Sequence, residues 1–430
     1  MYNAREITPR YDPELAGIIA AQRAFFAAGK TREVAFRRQL LQNLGILLRE
    51  NEAPLLEALR TDLGKSHREA QSTELAIIKS ELGRTLRHLT AWTAPRICLP
   101  PCTGRILPRP RGIVMLFSPW SDPLRRAILP LIASVAAGNC TILKLSEHVP
   151  HVSALLAALL DRYFDREYIA AWTDTFEAVS AIRREPLGMV YFTGGSAAAR
   201  IVCRAAAAQL TPVITDIGGK SPCIVDASAD LRLAARRIVA AKLLSAGQTC
   251  AAPDDLFIER SVKAQFLACV REAHDRLYSA APCENPQYPK IVNRMHFERL
   301  KRHLSDGRIL LGGDVCEESC RIALTLMEGI APGSVLYSEE IFGPILPVHT
   351  FDGIDGVIRT LRRRAKPPAL YLFSRDRTLT RRVLSSLAFG TACVNDAPLP
   401  SRGMVGCPHG KAGFELFSLP AAVRSGRHFL

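Results

Sequence analysis

Residues 112–145 read GIVMLFSPWSDPLRRAILPLIASVAAGNCTILKL, and the order of patterns in this stretch decides the fold. Gly112-Ile113-Val114-Met115-Leu116-Phe117 is a short, continuous apolar run, the pattern of a strand buried on both faces. Residues 123–137 have the length and composition of a helix, closed by Gly138. Cys140-Thr141-Ile142-Leu143-Lys144-Leu145 is a second apolar strand. The alternation continues outward through a helix at 152–164, strands at 169–172 and 189–192, a Gly194-Gly195 turn, a helix at 197–208 and a strand at 212–217. Strand and helix in alternation predict a parallel, doubly wound α/β sheet.

Gly218-Gly219 marks the crossing into a second α/β region. Its expected strands are 223–225, 255–258, 346–349 and 369–373, and its expected helices 230–245, 261–279, 295–305 and 377–387. Upstream, residues 14–62 carry helical periodicity, with Leu15, Ile18, Ile19, Phe25 and Phe26 on one face and a break at Gly29. A further helix is expected over 69–92. The Pro- and Gly-rich stretch 95–110 then breaks regular structure and holds an extended strand at 104–107.

At 430 residues the chain has room for two or three domains with full cores. Residues 1–14 are polar and show no secretory signal. The longest apolar run, near 127–137, contains Pro130 and falls well short of the roughly 20 residues that cross a bilayer. Residues 424–430 form neither an apolar anchor nor a lipidation box. Twelve scattered cysteines without an export signal read as reduced thiols in a cytoplasm. The CxxxC pairs Cys98/Cys102 and Cys316/Cys320 lack partners at metal spacing and read as structural, so no metal is expected. Lysine and arginine outnumber acidic residues by 56 to 41, a net charge of +15. The basic residues are spread along helices and are not interleaved with aromatics, so the reading is a solvated arginine-rich surface, with no nucleic-acid partner.

Ser245-Ala246-Gly247-Gln248-Thr249-Cys250 places a cysteine behind a small-residue turn. The plain alternative for any one thiol is a small buried hydrophobe. A loop cysteine with access and a polar setting instead suits a nucleophile. Phe192-Thr193-Gly194-Gly195-Ser196 is a glycine turn between strand and helix, where backbone N–H groups suit a pyrophosphate. Gly218-Gly219-Lys220 and Glu339-Glu340-Ile341-Phe342-Gly343-Pro344 are weak signals singly.

Together and in this order, these stretches resemble the aldehyde dehydrogenase superfamily, most closely its class 3 branch acting on fatty and aromatic aldehydes. The motifs that carry the likeness are Leu143-Lys144-Leu145-Ser146-Glu147, Ile217-Gly218-Gly219-Lys220-Ser221-Pro222-Cys223, residues 245–250 and residues 339–344, helped by PLIASVAAGN at 130–139 and Leu210-Thr211-Pro212-Val213. The resemblance spans about residues 14–420. It implies a doubly wound NAD(P)-binding domain (1–95 and 111–216), a catalytic cysteine domain (217–394), and oligomerisation or bridging segments (96–110 and 395–430). It implies NAD or NADP as cofactor, a small-molecule aldehyde as substrate, and a homodimer formed through the extended arm near 104–107.

The resemblance also assigns roles. Cys250 matches the nucleophile that gives a thiohemiacetal and then a thioester. Lys144 and Glu147 match positions near the adenosine ribose, and Gly194, Ser196 and Gly218 belong to the cofactor turns. Glu340 matches the carboxylate on the nicotinamide ribose, and Phe342 the ring beside the nicotinamide. Asn395 and Trp120 fall near the substrate. Four departures stand out. Ser121 replaces the oxyanion-binding asparagine, whose loss typically costs about 10²–10³ in rate. Asp216 replaces the glutamate that activates the deacylating water. Ala199 stands where the third glycine of the phosphate turn belongs, and the segment 395–409 is short. The expected function is NAD(P)-dependent oxidation of an apolar aldehyde to its acid. The alternatives are an impaired member kept as a binding or scaffolding partner, and a dehydrogenase passing its acyl group to CoA or an amine.

Overall fold

The computed structural model describes residues 12–98, 104–278, 282–397 and 408–424. The chain divides into two compact units, each built from separated segments: residues 1–58, 74–217 and 406–430 in one, and residues 59–73 and 218–405 in the other.

The first unit holds β1 (Arg96–Cys98), β2 (Gly104–Pro110), β3 (Ile113–Phe117), β4 (Cys140–Lys144), β5 (Ile169–Trp172), β6 (Met189–Gly194) and β7 (Val213–Ile217). Strands β5-β4-β3-β6-β7 form a five-stranded sheet, parallel at every pairing. All five residues of β3 and of β4 are buried, as a sheet covered on both faces requires. Ile113, Met115 and Phe117 of β3 share a core with Ile142, Val190 and Phe192. The helix Pro123–Ala137 is buried along its whole length, so its Arg125 and Arg126 are buried with it.

The second unit holds β8 (Pro222–Val225), β9 (Asp255–Glu259), β10 (Arg308–Leu311), β11 (Val315–Cys316), β12 (Arg321–Ile322), β13 (Thr325–Glu328), β14 (Ile345–Phe351), β15 (Ala369–Phe373) and β16 (Thr391–Val394). Seven of them order as β10-β13-β14-β9-β8-β15-β16, parallel except where β10 meets β13, and β11 and β12 pair apart as a hairpin. Successive strand residues point to opposite faces. Cys223, Val225, Tyr371 and Phe373 therefore enter one core, and Ile224, Leu370 and Leu372 the other. The chain finally adds β17 (Ser418–Val423), which returns to the first unit and pairs antiparallel with β2 in a three-stranded sheet ordered β1-β2-β17.

Two expectations change in detail. The helix read over 69–92 is present as a continuous helical run, but it widens into a π turn at Gln71–Leu75 between His67–Ala70 and Ala76–Thr93. The Ser72 and Thr73 hydroxyls both donate back to the Glu69 carbonyl, at 3.1 and 2.8 Å, competing with the regular ladder. Strands β1, β10 to β13, β16 and β17 lie beyond those expected from the sequence. The short segment noted between residues 395 and 409 falls largely on 398–407, outside the described residues. Among the described residues no helix is long and apolar enough to cross a membrane, and no group of three or more His, Cys, Asp or Glu side chains could hold a metal.

Candidate active site

In the second unit, helix Leu231–Leu243 leads into the cysteine loop. The backbone is left-handed at three successive residues, Ser245 (φ 51°), Ala246 (φ 54°) and Gly247 (φ 74°). Residues with side chains pay about 1–3 kcal/mol for such a conformation, so neighbours must impose it. Gly247 is also required for space, because a Cβ there would fall on the Gly343 carbonyl. The Glu69 carboxylate accepts from Ser245 N at 2.7 Å. The buried Gln248 amide donates to the Ser245 and Lys290 carbonyls, both at 2.9 Å, and accepts from Val292 N at 3.0 Å. Cys250 lies in the turn so formed and is half-buried. Its carbonyl accepts from the Ser221 hydroxyl at 3.4 Å, and the Tyr371 hydroxyl donates to the next carbonyl, that of Ala251. The contrast with strand cysteines is chemical. Burial pushes the Cys140 thiol up to about 12 and raises Cys223 as well, so both are inert apolar residues.

The segment bearing Glu340 and Phe342 is tied at both backbone groups of Ile341. Ile341 N donates to Asp254 at 2.9 Å, and its carbonyl accepts from Arg299 at 2.8 Å. Asp254 is itself buried and paired with Lys220 and Lys242, each at 3.4 Å. Lys220 also donates to the Glu339 carbonyl at 3.2 Å. Anchored this way, the Glu340 carboxylate lies directly over Gly218, where any Cβ would strike it. Phe342 follows with φ 52°. Gly218 and Glu340, 122 positions apart in the numbering, are thus brought together. Asn395 (φ 56°) uses its amide to bridge the end of β15, accepting from Ser374 N at 2.9 Å and donating to the Ser374 carbonyl at 2.8 Å.

In the first unit, the remaining candidates gather at the carboxyl ends of parallel strands, where doubly wound sheets bind ligands. Lys144 ends β4, Gly194 ends β6, Asp216 lies next to the end of β7, and Trp120 and Ser121 occupy the loop after β3. Lys144 is buried and bonds Glu147 at 2.6 Å, while the Thr175 hydroxyl donates to the same carboxylate at 3.0 Å. Burial lowers the Lys144 ammonium, opposed by Glu147; burial would raise Glu147, but the bond from Lys144 carries it below the usual range. This ion pair fits vicinal ribose hydroxyls. The helix Ser196–Ala207 begins at Gly195 without a side-chain cap, leaving its first N–H groups for an anion, which fits a dinucleotide phosphate. A Cβ at Gly194 would come within 2.8 Å of the Phe192 ring.

Ser121 is buried beside Asp122, which is left-handed (φ 45°) and paired with Arg125. Asp216 is held by Arg126, whose Nη1 lies 3.0 Å from its carboxylate. Sequence alone does not reveal that contact, although two arginines inside an apolar helix are a visible signal. Glu69, Gln248 and Asp254 likewise escaped sequence reading as the groups that shape the site.

The sequence pattern of the aldehyde dehydrogenase family matches residues 13–412. The chain is 35% identical over 414 residues to 4,4'-diaponeurosporen-aldehyde dehydrogenase of Staphylococcus aureus (strain NCTC 8325 / PS 47), covering 92% of this chain and 90% of that protein. It is also 35% identical over 423 residues to human aldehyde dehydrogenase family 3 member B1, covering 95% and 90%. A solved structure described as the substrate-bound state of Staphylococcus aureus AldH superposes with a TM-score of 0.90 at 34% identity, over 96% of this chain and 94% of that one. Pattern, sequence and fold agree over nearly the full length, and the chain belongs to the aldehyde dehydrogenase family.

Proposed function

We propose that this NAD(P)-dependent aldehyde dehydrogenase oxidises an apolar aldehyde to its acid with Cys250 as nucleophile. The observation that carries this reading is the cysteine loop. Three successive left-handed residues, locked by Glu69 and Gln248, are a local cost, and strain of that kind collects at working sites. The named relatives, one a diaponeurosporen-aldehyde dehydrogenase, support an apolar substrate.

The Cys250 thiolate adds to the aldehyde carbonyl to give a thiohemiacetal, and Ser121 is proposed as the donor to its oxygen in place of the family's asparagine. Bound NAD(P) supplies the hydride acceptor. Lys144 and Glu147 would hold the adenosine ribose of that cofactor, the open N-terminus of helix Ser196–Ala207 its pyrophosphate and Glu340 the second ribose, and Phe342 would limit the ring positions. Loss of hydride leaves an acyl thioester on Cys250. Asp216 takes a proton from water, hydroxide adds to the thioester carbonyl, and the C–S bond breaks to release the acid and restore the thiolate. Asn395 and Trp120 bound the substrate side.

Purified protein given NAD or NADP and medium- to long-chain aldehydes is expected to form reduced cofactor, and Cys250→Ala to abolish it. Reduced cofactor from Cys250→Ala at the wild-type rate would sink the assignment. Acid as the product, unchanged by added CoA, separates hydrolysis from acyl transfer. The dimer is proposed to form through the β1-β2-β17 sheet, whose outer strands expose Ile97, Leu419 and Val423. A cytoplasmic location is in keeping with the many thiols.

A further inference from the structure

We propose that Arg126 is a positioning residue for Asp216, fixing that carboxylate in the one orientation from which it activates the deacylating water. The inference rests on the functional reading above. Aspartate here is one methylene shorter than the family's glutamate, and a general base must stand within hydrogen-bond reach of its proton or of one bridging water. A short carboxylate left to rotate would waste most of its orientations. Arg126 reaches it from the helix Pro123–Ala137 with Nη1 at 3.0 Å from Oδ2. Tyr191, on the neighbouring strand β6, donates a second hydrogen bond to the same carboxylate. Both partners are buried. The Arg126 side chain is 6% exposed, and Tyr191 is buried against the Phe417 ring at 5.6 Å between centroids. One carboxylate oxygen is thereby engaged by a cation, and the group is pinned at the carboxyl end of the sheet.

The other charges facing this carboxylate bear on its ionisation. Arg125, on the same helix turn as Arg126, is paired with Asp122. His409, at the start of the helix Gly410–Leu416, is pushed down to about 4 by burial and by Arg125, Arg84 and Arg126, so it is neutral near pH 7. Glu81 accepts from Gly410 N at 2.6 Å. Burial raises the Asp216 carboxyl above its ordinary range, and the Arg126 charge, the Arg126 and Tyr191 hydrogen bonds and the Arg125 charge pull the other way. Arg126 is the largest of the opposing influences. A base works deprotonated, so activity is present above its pKa and lost as pH falls through it. Burial already outweighs its opponents, and removing the cation takes away the largest of them, so that limb moves further toward higher pH.

The test uses the full chain with decanal and whichever of NAD and NADP supports turnover. Rapid mixing reads the burst of reduced cofactor, which reports acylation, and steady-state kcat is followed against pH. Arg126→Met is expected to move the acid limb of kcat upward by about one to three pH units, the usual effect of losing an adjacent opposite charge. The burst rate should stay within twofold. Arg126→Lys should restore most of the limb, and Tyr191→Phe should move it upward by less, which keeps the test open if Arg126→Met fails to fold. An unmoved limb in both Arg126→Met and Tyr191→Phe overturns the proposal, as does a burst rate that falls in step with kcat. A wild-type burst that survives Cys250→Ala would instead overturn the functional reading on which it rests.

Discussion

Gln248 shows how much of the site depends on one side chain. Its buried amide satisfies two carbonyls and one N–H around the cysteine loop. Gln248→Ala takes this partner from the Val292 N–H and the Lys290 carbonyl, at about 1–3 kcal/mol for each that stays dry, while the Ser245 carbonyl keeps its bond from Gln248 N. A lowered melting temperature and a slower burst, with the steady-state pH profile unchanged, are expected from thermal melts and rapid mixing. Gly247 announces a turn in the sequence, because glycine enters the left-handed region freely. Ser245 and Ala246 announce nothing of the kind. Their conformation is imposed by Glu69, 176 residues earlier, and no local propensity could reveal it. The same holds for Asp216: its identity is plain in the sequence, while its partner Arg126 becomes apparent only once the helix Pro123–Ala137 is laid over the sheet.

At the level of elements, the buried charges Asp254, Lys220 and Lys242 join β9 and helix Leu231–Leu243 to the segment 339–343. Breaking a buried pair from one side costs about 3–5 kcal/mol. Asp254→Asn should lower the melting temperature and, by loosening Ile341, raise the KM for NAD(P) more than it lowers kcat. Equal losses in both would show that the network only stabilises the fold. The milder Lys220→Met should move KM in the same direction. The all-buried strands β3, β4 and β15 were readable because continuous apolar runs need two covered faces. β10 and β16 were not. Arg308–Leu311 opens on arginine with two exposed positions, and Thr391–Val394 is only partly covered, so neither carries a core pattern. β17 contains Pro420 and alternates weakly, as an edge strand can.

At the scale of the molecule, the exposed apolar residues of the three-stranded sheet bear on assembly. Ile97 is 76% exposed on β1, and Leu419 and Val423 are 45% and 47% exposed on β17. Sedimentation is expected to give twice the 47.2 kDa chain mass, and Ile97→Asp with Leu419→Lys to shift the protein toward monomer without changing the burst. A wild-type monomer at micromolar concentration would refute the dimer. The pairing of β17 with β2 also has a bearing on biosynthesis. Ser418 meets Pro110 and Val423 meets Arg105 across some three hundred intervening residues. At the usual 5–20 residues per second, roughly 15 to 60 s separate the emergence of these partners from the ribosome. For that interval β2 presents an unmatched edge to the crowded cell, and nascent chains stalled before residue 418 should be the species that chaperones hold longest.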